Sequence, residues 1–274
     1  MMRSMFAAVS ALRNHQTRMD VIGNNIANVN TVAFKSSRVT FQDVFYQTLS
    51  GGSASDSANN RGGINPRQVG VGMAVNSIDT NFTQGNVEPT GVPTDVMIQG
   101  DGFFVLSPDG GTTKYYTRAG VFGFDAEGNL INKSNGMFVL DSGGNPIKID
   151  NFSEVESFKI SGDGTVTYID ASGQQNDAGQ IGLAKFANPE GLLKVGENLY
   201  QFDVNADSQD EDSLIGAPGE EGRGTLVPGS LEMSNVDLAK EFTDMIITQR
   251  GYQANARTIT TADEMLQELV NLKR

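Results

Sequence analysis

The sequence predicts an α and β protein. Long N- and C-terminal helices form a coiled-coil-like terminal domain, and the stretch between them folds as a central all-β antiparallel domain. Three observations predict it. Apolar residues recur at alternating three- and four-residue intervals at both ends of the 274-residue chain, which is seam spacing rather than the wider stripe of a globular surface helix. Between the ends, short apolar runs close repeatedly on Asp/Gly/Asn turns. Charge follows the same division: residues 1–50 hold five Lys/Arg and two Asp/Glu, 234–274 hold five and six, and 51–233 hold ten against 25.

The first helix is expected over about 1–30. Met2, Met5, Phe6, Val9, Leu12, Met19, Ile22 and Ile26 form its seam, with Gln16 and Gly23 in the slots that lack an apolar side chain. The asparagines at 24, 25, 28 and 30 are a plausible stop. Residues 31–75 read as a linking and bridging segment. Within it, Ser50–Gly63 is small and polar, carries nothing larger than Ala to bury, and is expected to be mobile.

The β domain is expected over 76–233. Its phrases are Phe103–Leu106 before a Pro108-Asp109-Gly110-Gly111 turn, Phe122–Leu130, Phe138–Asn145 and Phe158–Val166. Strands at this spacing suggest a single sandwich or barrel-like body. Asn205–Gly224 is acidic and glycine-rich and reads as a solvated loop.

Helical spacing returns at 234–274. Ser234 or Asn235 can cap, and Asp237 suits the positive end of the helix dipole. Leu238, Phe242, Met245, Tyr252, Ala256, Ile259, Leu266 and Val270 continue the seam, with Gln249 and Asp263 as polar members. Gly251 is the one weak point, where a kink is possible at about 1 kcal/mol relative to Ala. So long a helix with so narrow a stripe finds another helix as its partner more readily than a domain surface, and the two ends can pair. With little else to bury them, the helices are expected to be poorly ordered until they assemble.

Chemistry is poorly supported. The absence of cysteine excludes disulfides and thiolate metal sites, and the single histidine, His15, cannot build a His-rich metal site. Asp101, Asp109, Asp125, Asp141, Asp163 and Asp170 sit at hairpin turns, where Asp caps the backbone. Asp203–Asp207 opens like a calcium loop, but Ser208 stands at the glycine position and Leu214 at the bidentate glutamate. No enzyme and no cofactor are expected. An acidic midsection argues against nucleic acid, and no stretch approaches the roughly 20 apolar residues of a membrane span. The N-terminus is a poor secretory signal, so composition alone reads cytoplasmic.

Several ordered blocks resemble one family, the flagellar basal-body rod and hook proteins. Asp20–Lys35 looks like its N-terminal signature, carried by Asn24, Asn25, Ala27, Asn28, Thr31, Phe34 and Lys35, with Ala33 where a glycine is usual. Gln99–Phe104, Tyr116–Phe122, Gly196–Tyr200, Gly229–Leu238, Gln249–Asn255 and Gln267–Leu272 match later blocks. Within the family, Glu241–Ile246 and the Val270–Arg274 ending look most like the hook members of Gram-positive type bacteria, with distal rod members as the close alternative. The chain is short for a hook subunit.

The resemblance implies a structural subunit that polymerises with itself into a tube, its terminal helices lining the inner wall. It implies distal rod, hook cap and hook–filament junction proteins as neighbours. It also implies extracellular placement through the flagellar type III export apparatus without a cleaved signal peptide, which reverses the cytoplasmic reading. A secreted β-rich adhesin or binding module is the reading from another class, and it gives no reason for coiled-coil ends.

Overall fold

The computed structural model describes residues 2–54, 62–149, 152, 155–209 and 211–272. Half of the stretch expected to be mobile, 55–61, lies outside the described residues. The chain is alpha plus beta, with a helix at each end and an antiparallel β-rich middle. It divides into two units: 1–27 with 37–80 and 237–274, and 28–36 with 81–236.

The first unit holds α1 (Met2–Ala27), β1 (Ser37–Asp43), β2 (Tyr46–Ser50), β3 (Arg67–Gly70), β4 (Met73–Thr80) and α2 (Leu238–Leu272, 35 residues). α1 and α2 pack antiparallel. Arg18 pairs with Asp244 at 3.0 Å and the Asn25 amide donates to Glu241 at 3.2 Å. Further along, Gly251 passes His15 so closely that a Cβ there would lie 3.0 Å from the imidazole. Gly251 is therefore a point of close approach inside a continuous helix of roughly 52 Å.

β1 pairs antiparallel with β4, β2 with β3, and α1 packs against β1 and β4. Asn14 donates to the Met73 carbonyl at 2.7 Å, and His15 meets Phe41 edge-on at 5.9 Å. The segment expected as a linker thus divides at Ser37. Its first residues belong to the β-rich unit, and the rest is strand structure beside the helices. β1 and β4 give α1 a packing surface that apolar periodicity did not reveal.

The second unit holds β5 (Val87–Pro89), β6 (Val96–Gln99), β7 (Phe103–Ser107), β8 (Tyr115–Thr117), β9 (Phe122–Phe124), β10 (Leu130–Asn132), β11 (Phe138–Val139), β12 (Val155–Ile160), β13 (Thr165–Asp170) and β14 (Gln175–Gln180). It continues with β15 (Leu183–Ala184), β16 (Leu193–Gly196), β17 (Leu199–Gln201), β18 (Ile215–Gly216), β19 (Thr225–Pro228) and β20 (Ser230–Glu232). A nine-stranded sheet runs β16-β17-β8-β7-β11-β10-β9, with β15 joining β7 to β18. β12-β13-β14 form a second sheet, and β6 pairs β19 as β5 pairs β20.

The turn-closed phrases do form hairpins, at β7–β8, β9–β10 and β12–β13. β7 is buried throughout, and its alternation sends Phe104 and Leu106 into one apolar cluster and Phe103 and Val105 into another.

Two expectations are corrected. The acidic stretch Asn205–Gly224 is not a solvated loop: Ala206, Leu214 and Ile215 are buried and β18 runs through it. Its spaced apolar residues outweigh its charge. The α2 cap is Asp237, whose carboxylate accepts the Ala239 and Lys240 N–H groups at 2.9 and 3.3 Å. Ser234 accepts from Val236, and Asn235 accepts the Ser36 N–H at 2.8 Å instead.

Candidate assembly surface

The signature residues divide between the units and do structural work in each. Asn25, 2 % exposed near the end of α1, brackets the first residue of β1. Its oxygen accepts the Ser37 N–H at 3.0 Å and its nitrogen donates to the Ser37 carbonyl at 2.9 Å. The same nitrogen reaches Glu241, so one amide joins α1, β1 and α2. Burial pushes the Glu241 carboxyl above its ordinary value, and the Asn25 hydrogen bond works against that rise. Asn24 and Ala27 are exposed on α1.

In the second unit the Thr31 hydroxyl donates to Asn28 at 3.1 Å, and the Phe34 N–H closes a turn on the Thr31 carbonyl at 3.3 Å. Ala33 takes φ +58° within this turn, where glycine is the unstrained choice. Its N–H is fixed by the Glu232 carbonyl at 2.7 Å. Phe34 lies under the Lys194 ammonium at 5.4 Å.

Lys35 is fully buried and donates to Glu232 and, at 2.8 Å, to the Thr83 carbonyl. Glu232 also accepts the Gly85 N–H at 2.9 Å and faces Arg118 at 3.4 Å. Arg118 in turn donates to the Gly100 carbonyl at 2.9 Å and stands over the Phe103 ring at 5.4 Å. Burial lowers the Lys35 ammonium from its ordinary value, with the Glu232 charge opposing that fall. Burial also pushes the neighbouring Tyr200 hydroxyl up. The Asn-rich signature thus ends in a buried ionic clasp. Sequence reading found Lys35 and missed Glu232 and Arg118, since nothing local marks partners so distant in sequence.

The helical seam is shared between two faces. Ile22 is buried, and Met5, Leu12, Met19, Ile26, Met245, Ile259 and Leu266 are half-buried. Met2, Val9, Leu238, Phe242, Tyr252 and Val270 are exposed. What the helices bury instead is small or polar: Ala8, Ala11 and Asn25 on α1, Thr248 and Ala262 on α2. A search for large apolar residues passes over such positions. The outward face keeps a chain of apolar side chains that its own chain does not cover. In the same unit, Val44, Phe45, Tyr46, Leu49 and Ile64 are also exposed.

A polar clasp, a strand-backed helix pair and an uncovered apolar face describe a building block rather than a cleft. Three family models match the chain in order. Residues 5–35 match flagella basal body rod protein, 97–168 the flagellar hook protein FlgE/F/G D1 domain, and 227–272 the flagellar basal body rod FlgEFG protein C-terminal region. A Bacillus subtilis (strain 168) flagellar basal-body rod protein FlgG is 48% identical over 274 residues, covering 100% of both chains.

The chain belongs to the flagellar basal-body rod and hook family.

This rod and hook family subunit is therefore structural, not an enzyme. Borreliella burgdorferi offers an internal comparison, because relatives of both kinds come from one organism. Its basal-body rod protein FlgG is 40% identical over 276 residues, and its hook protein FlgE is 31% identical over 449, each covering 100% of both chains. As a member of this family, the subunit is a component of the bacterial flagellum at the level of rod and hook. Among the described residues no helix is long and apolar enough to cross a membrane.

Proposed function

We propose that this chain is a rod subunit of the flagellar basal body, at the distal rod, rather than the hook subunit suggested by the wording at Glu241–Ile246. One observation carries the choice. The rod relatives align over 274 and 276 positions, essentially the length of this chain, whereas the hook relative needs 449. A hook subunit of that kind holds sequence for which this chain has no counterpart.

Copies polymerise into a tube through α1 and α2, whose seam residues supply coiled-coil-like contacts to neighbouring copies, while β1 to β4 bridge between copies. The uncovered outward face of the helices supports this reading, because contiguous exposed apolar surface marks interaction sites. Subunits leave the cell through the flagellar type III export apparatus without a cleaved signal. The subunit meets the hook at its far end, and hook cap and junction proteins belong to later stages.

The test is complementation in a motile bacterium. In a strain lacking its own FlgG-type rod protein, this chain is expected to restore complete rods by electron cryotomography and swimming. In a strain lacking its hook protein it is expected to restore neither hooks nor filaments. Rescue of the hook strain alone would overturn the assignment.

A further inference from the structure

The end of α2 extends past the helix it packs against. Asn25 meets Glu241 and His15 meets Gly251, a spacing of about ten residues on each helix. The same register carries Met2 to the level of Glu264. Beyond it, residues 265–272 run on for roughly 12 Å with no α1 beside them. This extension carries a stripe of its own: Thr261, Glu264, Met265, Glu268, Leu269 and Leu272 share one face, spaced three and four apart as an amphipathic helix requires. Met265 and Leu269 are half exposed and Leu272 is 81 % exposed. The stripe is an apolar ridge flanked by two carboxylates.

The same unit holds a receptor of matching character. Arg3 and Phe6 of α1, Gln47 of β2, and Val69, Gly70 and Val71 enclose a groove of about 240 Å³. Gln47 and Val69 are register partners across the β2–β3 ladder, so the floor is set by strand pairing rather than by a loose loop. Phe6, Val69 and Val71 are exposed. Arg3 gives the groove one basic edge, and exposed Arg67 opens β3 two residues before Val69.

We propose that the α2 extension of one copy seats in this groove of the next copy, with Met265 and Leu269 on Phe6, Val69 and Val71, and Glu264 and Glu268 facing Arg3 and Arg67. The proposal rests on the self-assembly stated above and names the contact that carries it. Charge complementarity selects a second copy as occupant: an acid-flanked ridge meets a groove with a basic edge, and every chain carries both. Ridge and groove are different surfaces, so the contact is head-to-tail and leaves each new copy with an open groove or a free ridge. Such contacts build an open helical series where the rotation between copies does not close a ring.

The full-length chain tests this with solvent-exposed substitutions. Arg3→Glu alone, and Glu264→Arg with Glu268→Arg, are each expected to raise the critical concentration for polymerisation tenfold or more. The three changes together in one chain are expected to return it to within about threefold of wild type. A cysteine pair gives an independent reading, because the natural chain has no cysteine. Phe6→Cys and Leu269→Cys, in separate chains mixed before assembly and oxidised with copper phenanthroline, are expected to cross-link in the polymer and not in the monomer.

Single reversals that polymerise like wild type overturn the contact and leave self-assembly standing. So does a triple variant no better than its worse parent, or a mixture that never cross-links. A chain carrying both Phe6→Cys and Leu269→Cys that cross-links within itself as a monomer also overturns it, by placing the ridge in its own groove. A wild-type chain that stays monomeric at all concentrations overturns both readings.

Discussion

Glu232 sits between two buried cations, and that makes its two sides unequal. Lys35→Met would remove one cation and its bond to Thr83, but Glu232 keeps Arg118 and the Gly85 N–H. Glu232→Gln would remove the carboxylate that both cations face, and breaking a buried pair in that way costs about 3–5 kcal/mol. Urea denaturation followed in the β-rich unit is expected to show the larger loss for Glu232→Gln; the reverse order would refute the clasp as described. Asn25 offers a pH reading. The Glu241 carboxyl is raised by burial and lowered by its bond to Asn25, so Asn25→Ala is expected to raise it further. A group raised on folding adds stability below its unfolded value and loses it as pH rises through the folded one. The helix pair is therefore expected to weaken as pH climbs out of the acid range, and over a higher window in the variant. Carboxyl NMR titration of Glu241 checks this, and a lowered value in Asn25→Ala would contradict it.

At the level of elements, α2 is predicted to behave as two segments. Residues 241–262 pack on α1, whereas 265–272 have no α1 beside them, and a helix segment without a packing surface is marginal in water. Hydrogen exchange of the monomer is expected to protect amides over 241–262 and to leave 265–272 fast, with the latter slowing on assembly. Uniform protection along α2 in the monomer would sink that division. Helices and hairpins were legible because their signals are local: the three–four spacing at Met5–Ile26, the Asp–Gly turns after Phe103 and Phe122. Strands β1 to β4 were not. Ser37–Asp43 and Met73–Thr80 are held by pairing across a gap in sequence that no local pattern encodes. The packed helix faces were hidden for a different reason. Thr248, Gly251 and Ala262 are chosen for closeness rather than hydrophobicity; a reading weighted to large side chains gave Thr248 and Ala262 no role and took Gly251 for a possible kink. Lys35 was named through resemblance, but its burial and its partners needed the fold.

For the whole molecule, the division into units predicts separable folding and assembly. Deleting residues 237–274 is expected to leave the β-rich unit with its cooperative thermal transition and to abolish tubes in electron micrographs. Tubes from the truncated chain would show that α2 is not needed for the polymer. The clasp that closes the β-rich unit has a further consequence. Lys35 and Glu232 side chains are 0 % exposed and Arg118 only 4 %, so mobile ions cannot come between them. Contacts made by exposed arginines and glutamates are open to screening, with a Debye length of only about 3 Å at 1 M ionic strength. Raising the ionic strength is therefore expected to raise the critical concentration for assembly through the exposed charges at Arg3, Glu264 and Glu268, and to leave the β-rich unit folded.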